Sequence, residues 1–179
     1  MSSESSNKLT SSGKKAEFET YVKKNMRRAY FTAFGLLGSH DAAMDISQEA
    51  FIRAYRNFNR FDKRKNFFTW YYKILKNLCL NFIRDNKRKN EEVLLEYRTE
   101  ADEENQPQQS LEREEMKKLL QKAISELEFS DREIIILKEF EEHSYNEISE
   151  MLNIPVGTVM SRLFYARKKL GQKMKRMMK

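Results

Sequence analysis

The chain has few of the residues that interrupt helices or cross-link small proteins. Its 179 residues include one Cys, two Pro, five Gly and one Trp. A single cysteine excludes an internal disulfide and a cysteine-rich metal site. Cys79, between Leu78 and Leu80, is predicted to be a buried thiol in a helix. His40 and His143 have no ligand-like neighbours in the sequence, so we expect neither a metal nor a cofactor.

Long apolar runs are missing as well. No stretch approaches the roughly 18 apolar residues of a membrane span, and the polar N-terminus has no apolar signal-peptide segment. We therefore expect a cytoplasmic protein that does not insert into a membrane, with residues 1–13 disordered. The sequence also has no nucleophile–base set and no phosphate-binding loop, so an enzyme is not expected.

Charge is divided along the chain. The formal net charge is +7, which favours a polyanionic partner. Between Arg53 and Lys89, twelve Lys and Arg stand against two acids, whereas residues 91–115 hold ten acids against two Arg. From Met160 onward there are eight Lys and Arg and no acid. This order predicts two basic modules joined by an acidic linker.

Apolar residues recur at helical spacing through both modules, and no long alternating pattern occurs. The prediction is an all-α protein of two small helical domains, 14–90 and 112–179, joined by a flexible acidic linker, 91–111. In the first domain, helices are expected from about Phe18 to Leu37, from Asp41 to about Phe58, and from about Phe67 to Arg88. Ser39 or Asp41 can cap the second of these helices.

The most informative part of the first domain runs from Phe61 to Lys89 and mixes aromatic with cationic residues. Aromatic rings in a positive field can stack the bases of single-stranded nucleic acid. An amphipathic helix with core aromatics and solvated cations explains the same composition. Helical spacing assigns Trp70, Ile74 and Phe82 mostly to the core, and the direction of the other aromatics stays open.

The second domain has the sharpest local signals. Ser130 with Glu133 and Ser144 with Glu147 each have the spacing of a capping box. Asn153 fits a left-handed turn, after which a final cationic helix begins. A short helix, a tight turn and a basic helix are typical of a helix-turn-helix, whose second helix reads the major groove of DNA.

Three motifs then suggest a family. Asp45-x-x-Gln48-Glu49-Ala50-Phe51 is followed by Thr69-Trp70-Tyr71-Tyr72-Lys73-Ile74 and, downstream, by Pro155-Val-Gly157-Thr158-Val159-x-Ser161-Arg162. In this order the chain resembles a bacterial RNA polymerase sigma factor of the sigma-70 family, specifically its extracytoplasmic-function (ECF, group 4) type. The resemblance covers about Phe18 to Leu170.

The resemblance implies a transcription initiation factor that binds core RNA polymerase, recognises the −10 and −35 promoter elements and assists strand opening. Docking on the clamp coiled coil of the β′ subunit would involve Asp45, Gln48, Glu49, Ile52 and Arg56. The −10 DNA would be held by Phe61, Lys63, Arg64, Lys65, Asn66, Phe68, Lys73, Lys76, Asn77 and Arg84. The −35 duplex would be read by Thr158, Met160, Ser161, Arg162, Tyr165, Arg167 and Lys168.

Further partners follow from the same resemblance. The linker would enter the polymerase cleft, where the β subunit also lies, and an anti-sigma factor would hold the protein inactive. Two alternatives remain. A conventional helix-turn-helix regulator would not need polymerase docking but leaves the aromatic–basic stretch unexplained. A single-strand nucleic-acid chaperone or RNA-binding protein leaves the helix-turn-helix unused.

Overall fold

Helices make up all the regular structure in the described parts of the chain. The structure, a computed structural model, describes the backbone of residues 3–90 and 109–178 and the side chains of residues 13–87 and 113–178. The helices are α1 (Ser3–Leu37), α2 (His40–Arg56), α3 (Phe67–Asn90), α4 (Gln109–Ser125), α5 (Phe129–Ile135), α6 (Tyr145–Leu152) and α7 (Val156–Met177). A 3-10 turn (Phe58–Arg60) precedes α3, and a π-helical turn (Ile136–Phe140) continues α5. The predicted all-α, two-domain architecture is confirmed.

The ends of the first domain differ from the sequence predictions. Residues 1–13 were predicted to be disordered, whereas α1 begins at Ser3 in the structure. Extending an existing helix is easier than nucleating one, and the amphipathic segment downstream can support this polar extension. The linker predicted at 91–111 lies outside the described residues up to residue 108, and α4 begins at Gln109.

Local side-chain chemistry explains how α2 begins and ends. The Ser39 hydroxyl accepts a hydrogen bond from the Ala42 N–H at 3.3 Å, which confirms Ser39 as the cap. Just before it, Gly38 has a φ of 72°, a conformation that suits glycine. At the other end, the Asn57 side-chain amide donates to the Arg53 carbonyl at 2.9 Å. The helix therefore ends at Arg56, two residues before the predicted Phe58.

The second domain confirms one predicted capping box and not the other. Ser144 and Glu147 cap α6 reciprocally, and Asn153 ends this helix with a φ of 54°. In contrast, α5 begins at Phe129, and its capping position makes no side-chain hydrogen bond. The prediction of a box at Ser130 was wrong because the chain turns into the helix earlier. The Glu133 carboxylate is instead bonded to the first domain.

The two domains pack directly against each other. Helices α1 and α3 of the first domain contact α4, α5 and α6 of the second, and buried residues of both domains form one apolar cluster. At Gly35, α1 lies against the side chain of Ile136 in the second domain. A β-carbon added there would lie 2.6 Å from Cδ1 of Ile136, so α1 can approach the second domain this closely because residue 35 has no side chain.

Candidate nucleic-acid interface

The two aromatic residues predicted to face −10 DNA are buried. Phe61 is 7% exposed, and its ring centroid lies 5.1 Å from that of Trp70 and 5.5 Å from that of Phe67. It is therefore part of the core of the first domain, which does not support its prediction as a DNA contact. Phe68 is 1% exposed, between the Arg28 guanidinium and the His143 ring of the second domain. No base can reach Phe68 while the two domains are packed together.

The cationic loop before α3 is structured by its own charges. Arg64 forms two hydrogen bonds of 3.0 Å with the Asp62 carboxylate, and these bonds lower the pKa of Asp62. Lys63 donates to Glu17 on α1 at 2.7 Å. Asn66 accepts a hydrogen bond from the Thr69 N–H at 3.2 Å, so its amide caps α3. Lys65 is exposed. The loop thus presents cations on a restrained backbone.

Three stripes divide the surface of α3. One stripe enters the core of the first domain and includes Phe67, Tyr71 and Leu75. A second stripe faces the other domain and comprises Phe68, Tyr72 and Lys76, at the four-residue spacing of one helix face. The third is exposed to solvent. It contains Lys73, Asn77, Leu80 and Arg84. The structure therefore separates Lys76 from the other cations predicted on this helix.

The remaining aromatics of the motif are core residues, which answers the question that spacing left open. Tyr71 and Tyr72 are 0% exposed. Burial raises the pKa of both phenols, and for Tyr72 the adjacent Glu133 carboxylate adds to the increase. Cys79 is buried as predicted, and burial raises the pKa of its thiol to about 12. These groups are therefore neutral at physiological pH.

Helix α7 has the two faces that a groove-reading helix needs. Val159, Leu163 and Ala166 are buried against the rest of the domain, as predicted. The predicted −35 contacts lie on the remaining surface, with Thr158 and Arg162 partly buried and the others exposed: Met160, Ser161, Tyr165, Arg167 and Lys168. Two partners modify this surface. The Ser161 hydroxyl donates to the Thr158 carbonyl at 3.1 Å, and Arg167 pairs with Glu139 at 2.5 Å.

The sequence analysis missed one aromatic on this helix. Phe164 is 64% exposed beside Tyr165, and their ring centroids lie 5.3 Å apart. Exposed aromatic rings of this size are typical of binding surfaces. Phe164 lies outside the buried stripe of Val159, Leu163 and Ala166, and this spacing was the signal that its ring would face outward.

The outer face of α2 combines polar and apolar side chains. Asp45, Gln48 and Arg56 are exposed, and Ile52 is 48% exposed. Glu49 is partly buried and pairs with Arg53 at 2.7 Å. Met44, which the sequence analysis did not select, is 50% exposed one turn before Gln48. The predicted polymerase-docking residues thus lie on one helix, with an apolar strip between the charges.

A cluster of buried polar side chains joins the domains, and sequence reasoning did not find it. The Glu133 carboxylate is 3% exposed and lies 2.7 Å from both the Tyr72 hydroxyl and Nζ of Lys76. Nearby, Arg28 pairs with Glu141 at 2.5 Å. The partners are 57 to 113 residues apart in sequence. No local pattern could have indicated these contacts.

The described part of the chain holds neither a membrane-spanning helix nor a metal-binding cluster. No helix within residues 3–90 or 109–178 has the length and apolarity needed to cross a bilayer. Among the described side chains, residues 13–87 and 113–178, no three His, Cys, Asp or Glu come together in a way that could hold a metal ion.

Known proteins resemble the chain in both domains. Residues 14–89 match the family model of sigma-70 region 2, and residues 117–170 match that of sigma-70 region 4. The ECF RNA polymerase sigma factor SigW of Bacillus subtilis (strain 168) is 35% identical over 156 residues, covering 83% of each chain. The ECF RNA polymerase sigma-E factor of Haemophilus influenzae is 32% identical over 142 residues, covering 75% of each.

A solved structure shares the fold. The sigma factor RpoE in complex with the anti-sigma factor NepR from Bartonella quintana superposes with a TM-score of 0.73 at 23% identity, covering 89% of this chain and 97% of that one. Both halves of the present sequence, in their order and at nearly full length, are thus accounted for by one family. The chain belongs to the extracytoplasmic-function group of the sigma-70 family.

Proposed function

We propose that the protein is a transcription initiation factor that binds core RNA polymerase and gives it promoter specificity. The observation that carries this proposal is the combination of two surfaces on separate domains of a sigma-70 fold. One is the exposed polar–apolar face of α2, and the other is the exposed cationic face of α7. A conventional helix-turn-helix regulator would use the second surface only.

The docking surface is proposed to be the outer face of α2. Asp45, Gln48, Glu49, Ile52 and Arg56, together with Met44, would contact the β′ clamp coiled coil. Apolar side chains exposed between charges suit a partner helix, because burying them gives affinity while the charges set orientation. The acidic residues between the domains are proposed to enter the polymerase cleft, next to the β subunit.

The −10 surface is proposed to be smaller than the sequence indicated. Lys73, Asn77 and Arg84 on the exposed stripe of α3 would contact the DNA backbone and the melted strand. The cationic loop before α3 adds Lys63, Arg64, Lys65 and Asn66. Phe61 is removed from this set because it is a core residue. Phe68 and Lys76 can join the set only after the domains separate.

The −35 element is proposed to be read by α7. The first turns of this helix, with Thr158, Ser161 and Arg162, would meet base edges, as in other helix-turn-helix proteins. Arg167, Lys168 and the basic end of the helix would contact phosphates. If α7 neutralises about five phosphates, a plot of the logarithm of the DNA-binding constant against the logarithm of salt concentration should have a slope of about −4 to −5.

Regulation by an anti-sigma factor is proposed on the same grounds. The RpoE structure that shares this fold is of a complex with such a factor. A protein that works on RNA polymerase would act in the cytoplasm.

The test is run-off transcription with purified core polymerase on a randomised promoter library. We expect wild-type protein to direct transcripts that begin at a selected set of promoters. The variant Asp45→Arg/Glu49→Arg should lose binding to core polymerase and therefore give no such transcripts. Glu114→Arg/Glu150→Arg, at exposed positions on α4 and α6, is the control with the same change of charge. Duplex DNA binding without any polymerase binding would instead favour the conventional regulator.

A further inference from the structure

The outward face of α7 carries three large apolar side chains to which the proposed function gives no contact. Met160 is 53% exposed, Phe164 64% and Tyr165 58%. Met160 stands four residues before Phe164, and Ser161 stands four residues before Tyr165, so the four side chains form two neighbouring pairs on one side of the helix. They are here called the α7 block. Exposed apolar side chains that cluster in this way mark a binding site.

The position of the α7 block points to duplex DNA as its partner. The block lies in the first three turns of α7, away from the buried stripe of Val159, Leu163 and Ala166. These turns of the second helix of a helix-turn-helix are the part that enters the major groove. From Met160 onward the sequence has eight Lys and Arg and no acid. The segment therefore attracts phosphates, and the block is carried to the groove between them.

The same turns have little chemistry for reading guanine. Guanine is most often read by Arg or Lys side chains that donate hydrogen bonds to its O6 and N7 atoms. Within residues 156–166, Arg162 is the only charged residue. Arg167, one turn later, donates from Nε and Nη2 to Oε1 of Glu139 at 2.8 and 2.5 Å. The remaining base contacts of this helix must therefore use other groups.

An A·T pair offers the groups that match the α7 block. In the major groove thymine presents the apolar C5-methyl group, and adenine presents the N6 amino donor. The rings of Phe164 and Tyr165 pack edge to face, with centroids 5.3 Å apart and planes at 79°, so each ring restrains the other. Met160 adds an adaptable thioether. The Ser161 hydroxyl donates to the Thr158 carbonyl at 3.1 Å, which leaves its oxygen as an acceptor for an amino group.

We propose that the α7 block reads thymine methyl groups, so that the −35 element of this protein contains A·T pairs whose thymines lie against Met160, Phe164 and Tyr165. The inference rests on the proposed function of α7 and names the base that this helix prefers. Arg162 accounts for a guanine beside these pairs. Burying one methyl group contributes about fourfold in affinity, so two covered thymines contribute about 15-fold.

Deoxyuridine tests the proposal, because it pairs as thymidine does and lacks only the C5-methyl group. The full chain first selects its element from a pool of randomised duplexes. Dissociation constants are then measured by fluorescence anisotropy for the selected duplex and for the same duplex with deoxyuridine in place of each thymidine of the element. We expect thymines in the selected element and an affinity about 4-fold to 15-fold lower for the deoxyuridine duplex. Equal affinity for the two duplexes, or an element without thymine, would overturn the proposal.

Two variants assign the methyl dependence to the α7 block. Phe164→Ala should lower the ratio of the two dissociation constants at least about twofold, and its circular dichroism should match that of wild type because the ring is exposed. Lys168→Gln is the matched control on the same helix face. It removes a phosphate contact, so it should weaken binding to both duplexes equally and leave their ratio unchanged. A full ratio in Phe164→Ala would contradict the assignment.

Core polymerase separates this inference from the function on which it rests. The DNA measurements contain no polymerase, so failure of polymerase binding by wild-type protein would refute the proposed function and leave a measured methyl dependence intact. Equal affinity for the thymidine and deoxyuridine duplexes would refute only the reading of thymine. Loss of polymerase binding in Phe164→Ala, with the ratio of dissociation constants unchanged, would show that the α7 block binds a protein instead.

Discussion

The pairing of Lys76 with Glu133 allows the packed arrangement of the two domains, here called the closed form, to be tested by a double-mutant cycle. The Glu133 carboxylate is buried in the closed form, with Lys76 and the Tyr72 hydroxyl as its partners. Lys76→Met removes one partner, Glu133→Gln removes the charge but keeps an acceptor for Tyr72, and the double variant removes both charges. In the separated form each group faces water, so the substitutions act mainly on closing.

The magnitudes follow from the burial of each partner. Removing one member of a buried ion pair costs about 3–5 kcal/mol. The Lys76 side chain is 26% exposed, so part of that penalty is relieved by solvent. We expect Lys76→Met to weaken closing by about 2–3 kcal/mol, on the order of 50-fold in the equilibrium. Glu133→Gln should weaken it by about 1–2 kcal/mol, because Lys76 can turn toward water.

The double variant decides between coupling and simple damage. With both charges gone, the free energy of closing should recover to within about 1 kcal/mol of the wild-type value, because no buried charge is left without a partner. Energy transfer between dyes on Lys23→Cys and Glu150→Cys, both at exposed positions, reports the separation. Glu139→Gln is the matched control, because this exposed acid pairs within its own domain. Additive effects of the two substitutions, or unchanged energy transfer in both, would refute the pairing.

Three other predictions concern titration, capping and DNA reading. Burial and the charge of Arg28 lower the pKa of His143 below 6.5, and the opposite effects of Glu141 and Glu147 are smaller. The His143 imidazole therefore takes up a proton more readily in the separated form than in the closed form. Closing should therefore weaken as pH falls below about 6.5, measured by the same energy transfer, and His143→Gln should flatten this dependence. Ser144→Ala should lower the free energy of unfolding by about 1 kcal/mol in urea titrations, through loss of the α6 cap. Arg162→Ala should cost about 1–3 kcal/mol of specific duplex affinity by fluorescence anisotropy, and equal loss on all sequences would contradict base reading.

Local patterns predicted most of the fold because local chemistry determines it. The Ser39 cap, the reciprocal Ser144–Glu147 box and the left-handed Asn153 all depend on neighbours within a few residues. The buried face of α7 follows from spacing alone. Each of these features depends on residues only a few positions apart, which is why the sequence predicts them.

The aromatic–basic stretch shows where local patterns end. Composition could not distinguish rings that stack on bases from rings that pack on each other, because both need the same residue types. Phe61 is buried by Tyr21, Phe67 and Trp70, one of which lies 40 residues earlier in the chain. The cations of the stretch were easier to predict, since a charge must stay near solvent or find a partner.

Glu133 is the residue whose role sequence reasoning could least have predicted. It stands three positions after a serine, at the spacing of a capping box, and this local interpretation was reasonable. The helix begins at Phe129, so the carboxylate is left to a partner 61 residues away at Tyr72. Burying an acid at 3% exposure is unfavourable unless it is paired, and the packed domains supply the pair. The helix-forming signals of α5 would be satisfied equally well by an exposed Glu133. Its burial is therefore specific to the closed arrangement, and it is at this residue that a change of domain arrangement should first be detected.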